Sequence, residues 1–119
     1  MDLSFSEEQT MLGDTTRRLC EDLFPLTALR AVEASQPGYS SQLWAAMVEL
    51  GLPGLQIAEA HAGLGLGALE TVAVYEQLGR SLALSPHFAS SVQAAALLAL
   101  AGSGAQCERW LPALARGET

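Results

Sequence analysis

The chain has 119 residues, which is room for one domain with a real core, and carries a net charge of −7. Because the net charge is negative and only six residues, all arginines, are basic, the chain lacks the basic surface that follows a nucleic-acid backbone. No nucleic-acid partner is expected. Charged residues make up 16% of the chain, against a typical share of about 25%. The composition therefore indicates that another domain or subunit covers part of the surface.

The first helix is marked by an acidic start signal. Ser6 and Gln9 have the spacing of a capping box, and the helix is predicted to reach Phe24, just before Pro25. Residues 26–34 continue or restart it up to a turn at 35–38. The first nine residues lack the basic and apolar regions of a signal peptide, which favours a cytoplasmic protein.

A second, short helix is predicted between a serine cap and a closing glycine. Ser40 or Ser41 caps its start, and Gly51 occupies the position where a helix commonly ends in a left-handed residue. The following residues, 52–68, are irregular and rich in glycine. A short extended piece is expected at 55–57.

The glycine-rich stretch formally matches the G-x-G-x-x-A form of a dinucleotide fingerprint, at Gly63, Gly65 and Ala68. That fingerprint requires a preceding strand and an acidic residue about 20 positions further on. Neither accompanies it, because the next acidic residue after Glu76 is Glu108. The stretch is therefore interpreted as a connection between helices.

A third helix is predicted over residues 68–81 and a central helix over 85–102. Ser85 and Pro86 favour the start of the central helix, and Gly102 favours its end. No side chain between them carries a charge, and a helix that is apolar all round belongs in a core. We expect the other helices to wrap around it. The continuous apolar run 94–101 is too short for a membrane span, which takes about 20 residues.

A fifth helix is predicted over residues 105–111, with Pro112 kinking it or starting a last turn. Residues 1–116 then form one helical domain, and 117–119 start a linker. The predicted fold class is an all-α up-and-down bundle of five to six helices.

Few residues have the chemistry of an active site. His61, in the glycine-rich loop, is the only candidate acid or base, and no partner is evident for it in the sequence. His87 is predicted to donate a structural hydrogen bond to a backbone carbonyl. Cys20 and Cys107 are predicted to be buried thiols, because their spacing fits neither a metal site nor a disulfide framework. The chain alone does not contain a complete active site.

One face of the central helix is small and partly polar. Pro86, Ala89, Ser90 and Gln93 fall on it by the i, i+3, i+4, i+7 rule. Such a face suits either close packing against another helix or one wall of a cavity for an extended acyl chain. The pattern alone favours packing and leaves the cavity wall as the alternative.

Five local patterns occur in one order along the chain. They are Ser6-Glu-Glu-Gln9, Glu49-Leu-Gly-Leu52, Gly63-Leu-Gly65, Glu76-Gln-Leu-Gly-Arg80, and Trp110-Leu-Pro112 followed by Gly117-Glu118. In this order and spacing they resemble the N-terminal helical domain of the acyl-CoA dehydrogenases. Family members usually have Pro-Glu, an aromatic residue and Gly-Gly where this chain has residues 58–63, Ala-Glu-Ala-His-Ala-Gly. If the family needs a positive φ at Ala62, the alanine costs about 1 kcal/mol.

The resemblance implies an FAD-dependent enzyme that desaturates an acyl-CoA thioester between its α and β carbons. It implies that a carboxylate base and most of the FAD site lie in absent β- and C-terminal domains, and that the complete enzyme is a homo-oligomer. It turns the interpretation of the central helix toward a wall of the acyl-chain pocket, formed by Ser85, Ala89, Ser90 and Gln93. No catalytic residue and no metal site are expected here. A stand-alone, non-catalytic helical interaction module is the alternative, and an acyl-CoA oxidase of the same fold is not separated from the dehydrogenase.

Overall fold

The computed structural model describes residues 1–119 and contains helices and turns but no strand. The six α-helices are α1 (Glu7–Leu23), α2 (Leu29–Glu33), α3 (Ser41–Glu49), α4 (Ala68–Arg80), α5 (Ala95–Ala101) and α6 (Gly104–Ala115). A π-helical segment (Phe88–Ala94) leads directly into α5, and short 3₁₀ turns lie at Leu26–Ala28, Leu52–Gly54 and Glu59–His61. The predicted all-α bundle is confirmed. None of the helices combines the length and apolarity that crossing a bilayer requires.

The predicted helix caps are present. The Gln9 N–H donates to the Ser6 hydroxyl at 3.1 Å, and the Ser6 N–H donates to the Gln9 side-chain oxygen at 2.9 Å, which completes the capping box of α1. Ser40 rather than Ser41 caps α3, by accepting the Leu43 N–H at 3.1 Å. Gly51 follows α3 with a left-handed φ of 75°. These signals act within four residues, so they can be read from sequence.

Two apolar clusters hold the helices together. The larger lies between α1, α3 and α4 and consists of Cys20, Phe24, Leu43, Met47, Leu52, Leu55, Val74 and Leu78. The smaller joins the glycine-rich loop to α5 and α6 and consists of Ile57, Ala95, Leu111, Leu114 and Ala115. The central helix, formed by the π segment and α5, contributes only Ala95 to these two clusters.

The extended piece expected at 55–57 is wrong. Leu55 is helical, with φ −51° and ψ −50°, and its N–H donates to the Leu52 carbonyl at 3.2 Å. The Ile57 N–H likewise donates to the Gly54 carbonyl at 3.1 Å. Alternation of apolar residues imitates a strand here, but no second strand is available to pair with it, so the backbone hydrogen bonds close locally.

The last helix, α6, extends beyond Leu111 through Pro112 to Ala115, so the last turn that was predicted as one alternative at Pro112 is part of the same helix. Proline removes only its own N–H from the helix ladder, and the next turn resumes with the Arg116 N–H donating to the Pro112 carbonyl at 3.1 Å. Burial of Leu111, Leu114 and Ala115 keeps this turn against the domain. Gly117 then ends the helix with a left-handed φ of 67°.

The expectation that other helices enclose the central helix is wrong. The molecule is a slab of 44 × 43 × 21 Å, and the central helix lies at its surface. His87, Ser91 and Ala95 face the interior, whereas Leu97 and Leu100 are 68% and 88% exposed. A lack of charge predicts that a side chain is buried, but it does not indicate whether the residues that cover it belong to this chain. Part of the uncovered apolar surface that the composition predicted lies on this helix.

Candidate functional site

The site is built where the chain leaves α4 and enters the π segment. The Leu84 carbonyl accepts the Ser40 N–H at 3.3 Å, which ties this connection to the start of α3. Ser85 begins the helix, since its hydroxyl accepts the His87 N–H at 3.4 Å. The Ser90 N–H then donates to the Pro86 carbonyl at 3.1 Å, which forms the first helical turn. The start of the central helix is thus attached to α3 and follows directly from α4.

The π winding of Phe88–Ala94 changes which side chains share a face. The Ala95 N–H donates to the Ser90 carbonyl, five residues back, instead of four as in an α-helix. Such winding is rare and occurs frequently at functional sites. It brings His87, Ser91 and Ala95, spaced four apart, into one buried line. The α-helical spacing used in the sequence analysis therefore does not describe this segment accurately.

The four residues predicted to line an acyl-chain pocket fall into two pairs. Ala89 and Gln93 are exposed and lie four residues apart on the outer side of the helix. Ser85 and Ser90 are half-buried, and both hydroxyls bond to nearby backbone, with Ser90 donating to the Pro86 carbonyl at 3.1 Å. The outer side of the helix carries no charged side chain, and the side chain at Ala89 is only a methyl group. Such a surface suits an apolar chain and has no group able to transfer a proton.

His87 lies beneath this surface and is 1% exposed. Its Nε2 is 2.8 Å from the Leu52 carbonyl oxygen, and its Nδ1 is 2.8 Å from the Tyr75 hydroxyl. A carbonyl oxygen only accepts, so Nε2 carries the hydrogen and Nδ1 accepts from Tyr75. The predicted structural bond to a backbone carbonyl is confirmed. Tyr75 could not be identified as a partner from the sequence, because nothing in the spacing of two residues on different helices indicates their contact.

Burial keeps both partners of this pair neutral. Desolvation lowers the pKa of His87 below its usual 6.5, although the bond to the Leu52 carbonyl opposes the shift. Desolvation also raises the pKa of Tyr75 to about 12. At neutral pH the pair is therefore an uncharged, fully hydrogen-bonded unit inside the domain.

Two clefts flank the central helix. One, of about 450 Å³, lies beside its first turn and is lined by Tyr75, Leu82 and Phe88 among others. The other, of about 490 Å³, lies between the glycine-rich loop, α5 and α6, and contains His61 and Cys107. No three His, Cys, Asp or Glu side chains come together in a metal-binding group. His61 is therefore not part of a metal-binding group.

The two cysteines differ in burial. Cys20 is fully buried in the larger cluster, as predicted, and desolvation raises its pKa. Cys107 is only half-buried, and its thiol donates to the Leu98 carbonyl at 3.2 Å. Both are free thiols.

The glycine-rich loop uses its own amides. The N–H groups of Leu64, Gly65 and Leu66 donate to the carbonyls of Gly54, Ile57 and Leu55 at 2.8, 2.8 and 2.9 Å. These three amides are therefore not free to hold the diphosphate of a nucleotide or of a flavin. A Cβ added to Gly63 would lie 2.0 Å from the Ile57 carbonyl oxygen, so this glycine is required by packing. The prediction of a connection between helices agrees with this geometry.

Comparison with known proteins agrees with the fold. Residues 6–118 match the family model described as acyl-CoA dehydrogenase, N-terminal domain. The chain is 36% identical to acyl-CoA dehydrogenase IpdE2 of Mycobacterium tuberculosis, over 93% of this chain and 34% of that protein. It is 31% identical to (R)-benzylsuccinyl-CoA dehydrogenase of Thauera aromatica, over 99% of this chain and 33% of that protein.

Two solved structures are similar over nearly the whole chain. A chain of the ChsE4–ChsE5 complex from Mycobacterium tuberculosis superimposes with a TM-score of 0.90 at 28% identity, covering 99% of this chain and 32% of that one. The Tcur3481–Tcur3483 steroid ACAD gives a TM-score of 0.83 at 33% identity, covering 93% of this chain and 30% of that one.

The fold is an all-α helical domain with an uncharged helix at its surface. The chain belongs to the acyl-CoA dehydrogenase family and forms the N-terminal domain of such proteins. It spans about a third of the length of the two relatives described above.

Proposed function

We propose that the complete protein is an FAD-dependent dehydrogenase that introduces a double bond between the α and β carbons of an acyl-CoA thioester. The observation that carries this proposal is the family match over residues 6–118. In this proposal the base and the flavin site lie in the rest of the complete protein, outside this chain. The hydrogen bonds of Leu64, Gly65 and Leu66 are consistent with this division, because these three amides are not free to bind a flavin diphosphate.

Within that enzyme, this domain forms one wall of the acyl-chain pocket through Ser85, Ala89, Ser90 and Gln93. The exposure of Ala89 and Gln93 on a helix without charged side chains supports this assignment. Its contribution is to bind and orient the chain and to exclude water from it, since no proton-transferring group lies on this surface. Holding a substrate in register is itself a large part of catalysis.

The names of two similar proteins favour a bulky acyl group as the substrate. One solved structure is described as a steroid ACAD, and one relative as a benzylsuccinyl-CoA dehydrogenase. The methyl side chain of Ala89 is consistent with such a substrate, because it takes little room from the cavity. We propose a ring-containing acyl-CoA as the preferred substrate class.

The test is a panel of acyl-CoA thioesters assayed with the complete protein and its Ala89→Phe variant. A phenyl ring at this position narrows the cavity, so kcat/KM falls more for bulky and long acyl groups than for short ones. Ala45→Phe, at an exposed alanine of α3, is the matched control and leaves the substrate preference unchanged. An equal loss of kcat/KM on every substrate indicates a packing defect and contradicts the assignment of Ala89 to the wall of the acyl-chain pocket.

One further measurement concerns the cofactor. Stoichiometric flavin absorbance in the purified 119-residue chain would contradict the location of the FAD site outside it.

The proposed complete enzyme is cytoplasmic and oligomeric. Its native mass distinguishes the homo-oligomer from a pair of unlike chains such as the ChsE4–ChsE5 complex. A stop codon directly after Thr119 would support a non-catalytic interaction module instead of the enzyme.

A further inference from the structure

The central helix has one large side chain that is fully buried in the domain, that of His87. Its buried residues are His87, Ser91 and Ala95, and the last two have small side chains. The His87 ring packs edge-on against Trp44 of α3, with 6.5 Å between ring centroids, and lies 5.6 Å from the ring of Tyr75 on α4. A core position of this kind is more often filled by an aliphatic side chain.

The two hydrogen bonds of His87 are directional in a way that small apolar contacts are not. One reaches the Leu52 carbonyl in the turn after α3, and the other reaches Tyr75 on α4. Together they fix the ring in one orientation and one tautomer, whereas the side chains of Ser91 and Ala95 form no hydrogen bond to another helix. Buried polar groups that are fully satisfied favour one arrangement over close alternatives.

The position of this anchor in the sequence connects it to the proposed wall. Ala89 follows His87 by two residues, and Gln93 follows Ala89 by one helical turn on the exposed side. A rotation of the helix that His87 prevents would therefore turn Ala89 and Gln93 away from their present direction. Because Ala89 and Gln93 belong to the proposed wall, such a rotation changes the shape of the pocket and weakens binding of an elongated substrate.

We infer that His87, held by Tyr75 and the Leu52 carbonyl, is a positioning residue that fixes the rotation of the central helix and thereby the direction of the acyl-pocket wall. The inference rests on the proposed function of that wall. His87 and Tyr75 do not contact the acyl chain in this role; they act through Ala89 and Gln93.

The central variant is Tyr75→Phe, which removes one hydroxyl and keeps the ring that packs against His87 and Phe88. In the complete enzyme, KM for bulky acyl-CoA thioesters rises about threefold to tenfold, the scale of one lost hydrogen bond, while kcat changes less. The matched control is Thr16→Val, which deletes a buried hydroxyl of α1 bonded to the Leu12 carbonyl at 2.9 Å. The control lowers stability to a similar extent and leaves KM unchanged.

Variants of His87 itself separate its two bonds. His87→Gln keeps a donor for the Leu52 carbonyl, so this variant retains part of the wild-type substrate preference. His87→Leu removes both hydrogen bonds and loses the substrate preference. If His87→Leu does not fold, Tyr75→Phe and His87→Gln still decide the matter. Equal substrate preference in Tyr75→Phe, Thr16→Val and wild type overturns the inference while leaving the proposed function intact.

A second readout does not depend on activity. In amide NMR spectra of the 119-residue chain, Tyr75→Phe shifts the resonances of Ala89 and Gln93, and Thr16→Val does not. Unchanged resonances of both residues overturn the positioning role. Failure of the complete wild-type protein to desaturate any acyl-CoA refutes the proposed function, and the NMR comparison still tests the helix rotation by itself.

Discussion

Replacing Ala62 by glycine is expected to stabilise this domain. Ala62 follows the 3₁₀ turn Glu59–His61 with φ 65° and ψ 18°, in the left-handed region that a Cβ disfavours by about 1–2 kcal/mol. Glycine relieves that strain but makes the unfolded chain more flexible, which costs about 0.4–1 kcal/mol. The side chain of Ala62 is exposed, so no packing is lost. The free energy of unfolding should rise by about 0.5–1 kcal/mol.

Urea unfolding followed by circular dichroism measures this change. The control is Ala45→Gly, the same substitution at an exposed position inside α3, where glycine lowers the free energy of unfolding by about 1 kcal/mol. The two variants should therefore move the midpoint in opposite directions. A loss of stability in Ala62→Gly equal to that in Ala45→Gly would show that the backbone at residue 62 is not left-handed and would refute the reasoning.

Three further predictions use the same assay. Gly63→Ala lowers stability by at least about 1–3 kcal/mol, because the added Cβ meets the Ile57 carbonyl oxygen; wild-type stability would contradict the tight loop. Leu100→Gln changes the stability of this chain by less than about 0.5 kcal/mol, because the side chain is 88% exposed; a larger loss would place Leu100 in the core. Burial lowers the pKa of His87, so the unfolded state binds its proton more readily and stability falls as pH drops below 6.5, by at most about 1.4 kcal/mol per pH unit. In His87→Gln the free energy of unfolding should fall less steeply below pH 6.5 than in the wild type. Equal slopes in the two proteins would contradict the lowered pKa of His87.

The sequence was sufficient for features that depend on near neighbours. The capping box of Ser6 and Gln9 and the left-handed Gly51 involve residues at most a few positions apart, and each occurs as predicted. The extended piece expected at 55–57 was wrong because apolar alternation over three residues is a weak signal, and Leu55 is buried in helical backbone. The effect of Pro112 was left open, because the sequence does not show that Leu114 and Ala115 beyond it are buried against the domain.

The candidate site was predictable only in part. The sequence indicated that His87 donates to a backbone carbonyl, but its partners Leu52 and Tyr75 lie 35 and 12 residues away and meet it only through the fold. The π winding of Phe88–Ala94 was not predictable from a 3.6-residue period. Ala89 and Ser90, which the α-helical rule assigns to one face, differ in exposure.

The sizes of the side chains on the central helix carry information that their lack of charge does not. In a helix enclosed by its own chain, the largest apolar residues face the densest packing. In the second half of the helix the small residue Ala95 is buried and Leu98 is half-buried against the smaller cluster, while Leu97 and Leu100 are exposed. Small residues at 91 and 95, with two exposed leucines on the other side, are thus the pattern of a helix that packs closely on its own domain. Its larger side chains then remain outside, and on such a helix the charge content and the side-chain sizes must be considered together.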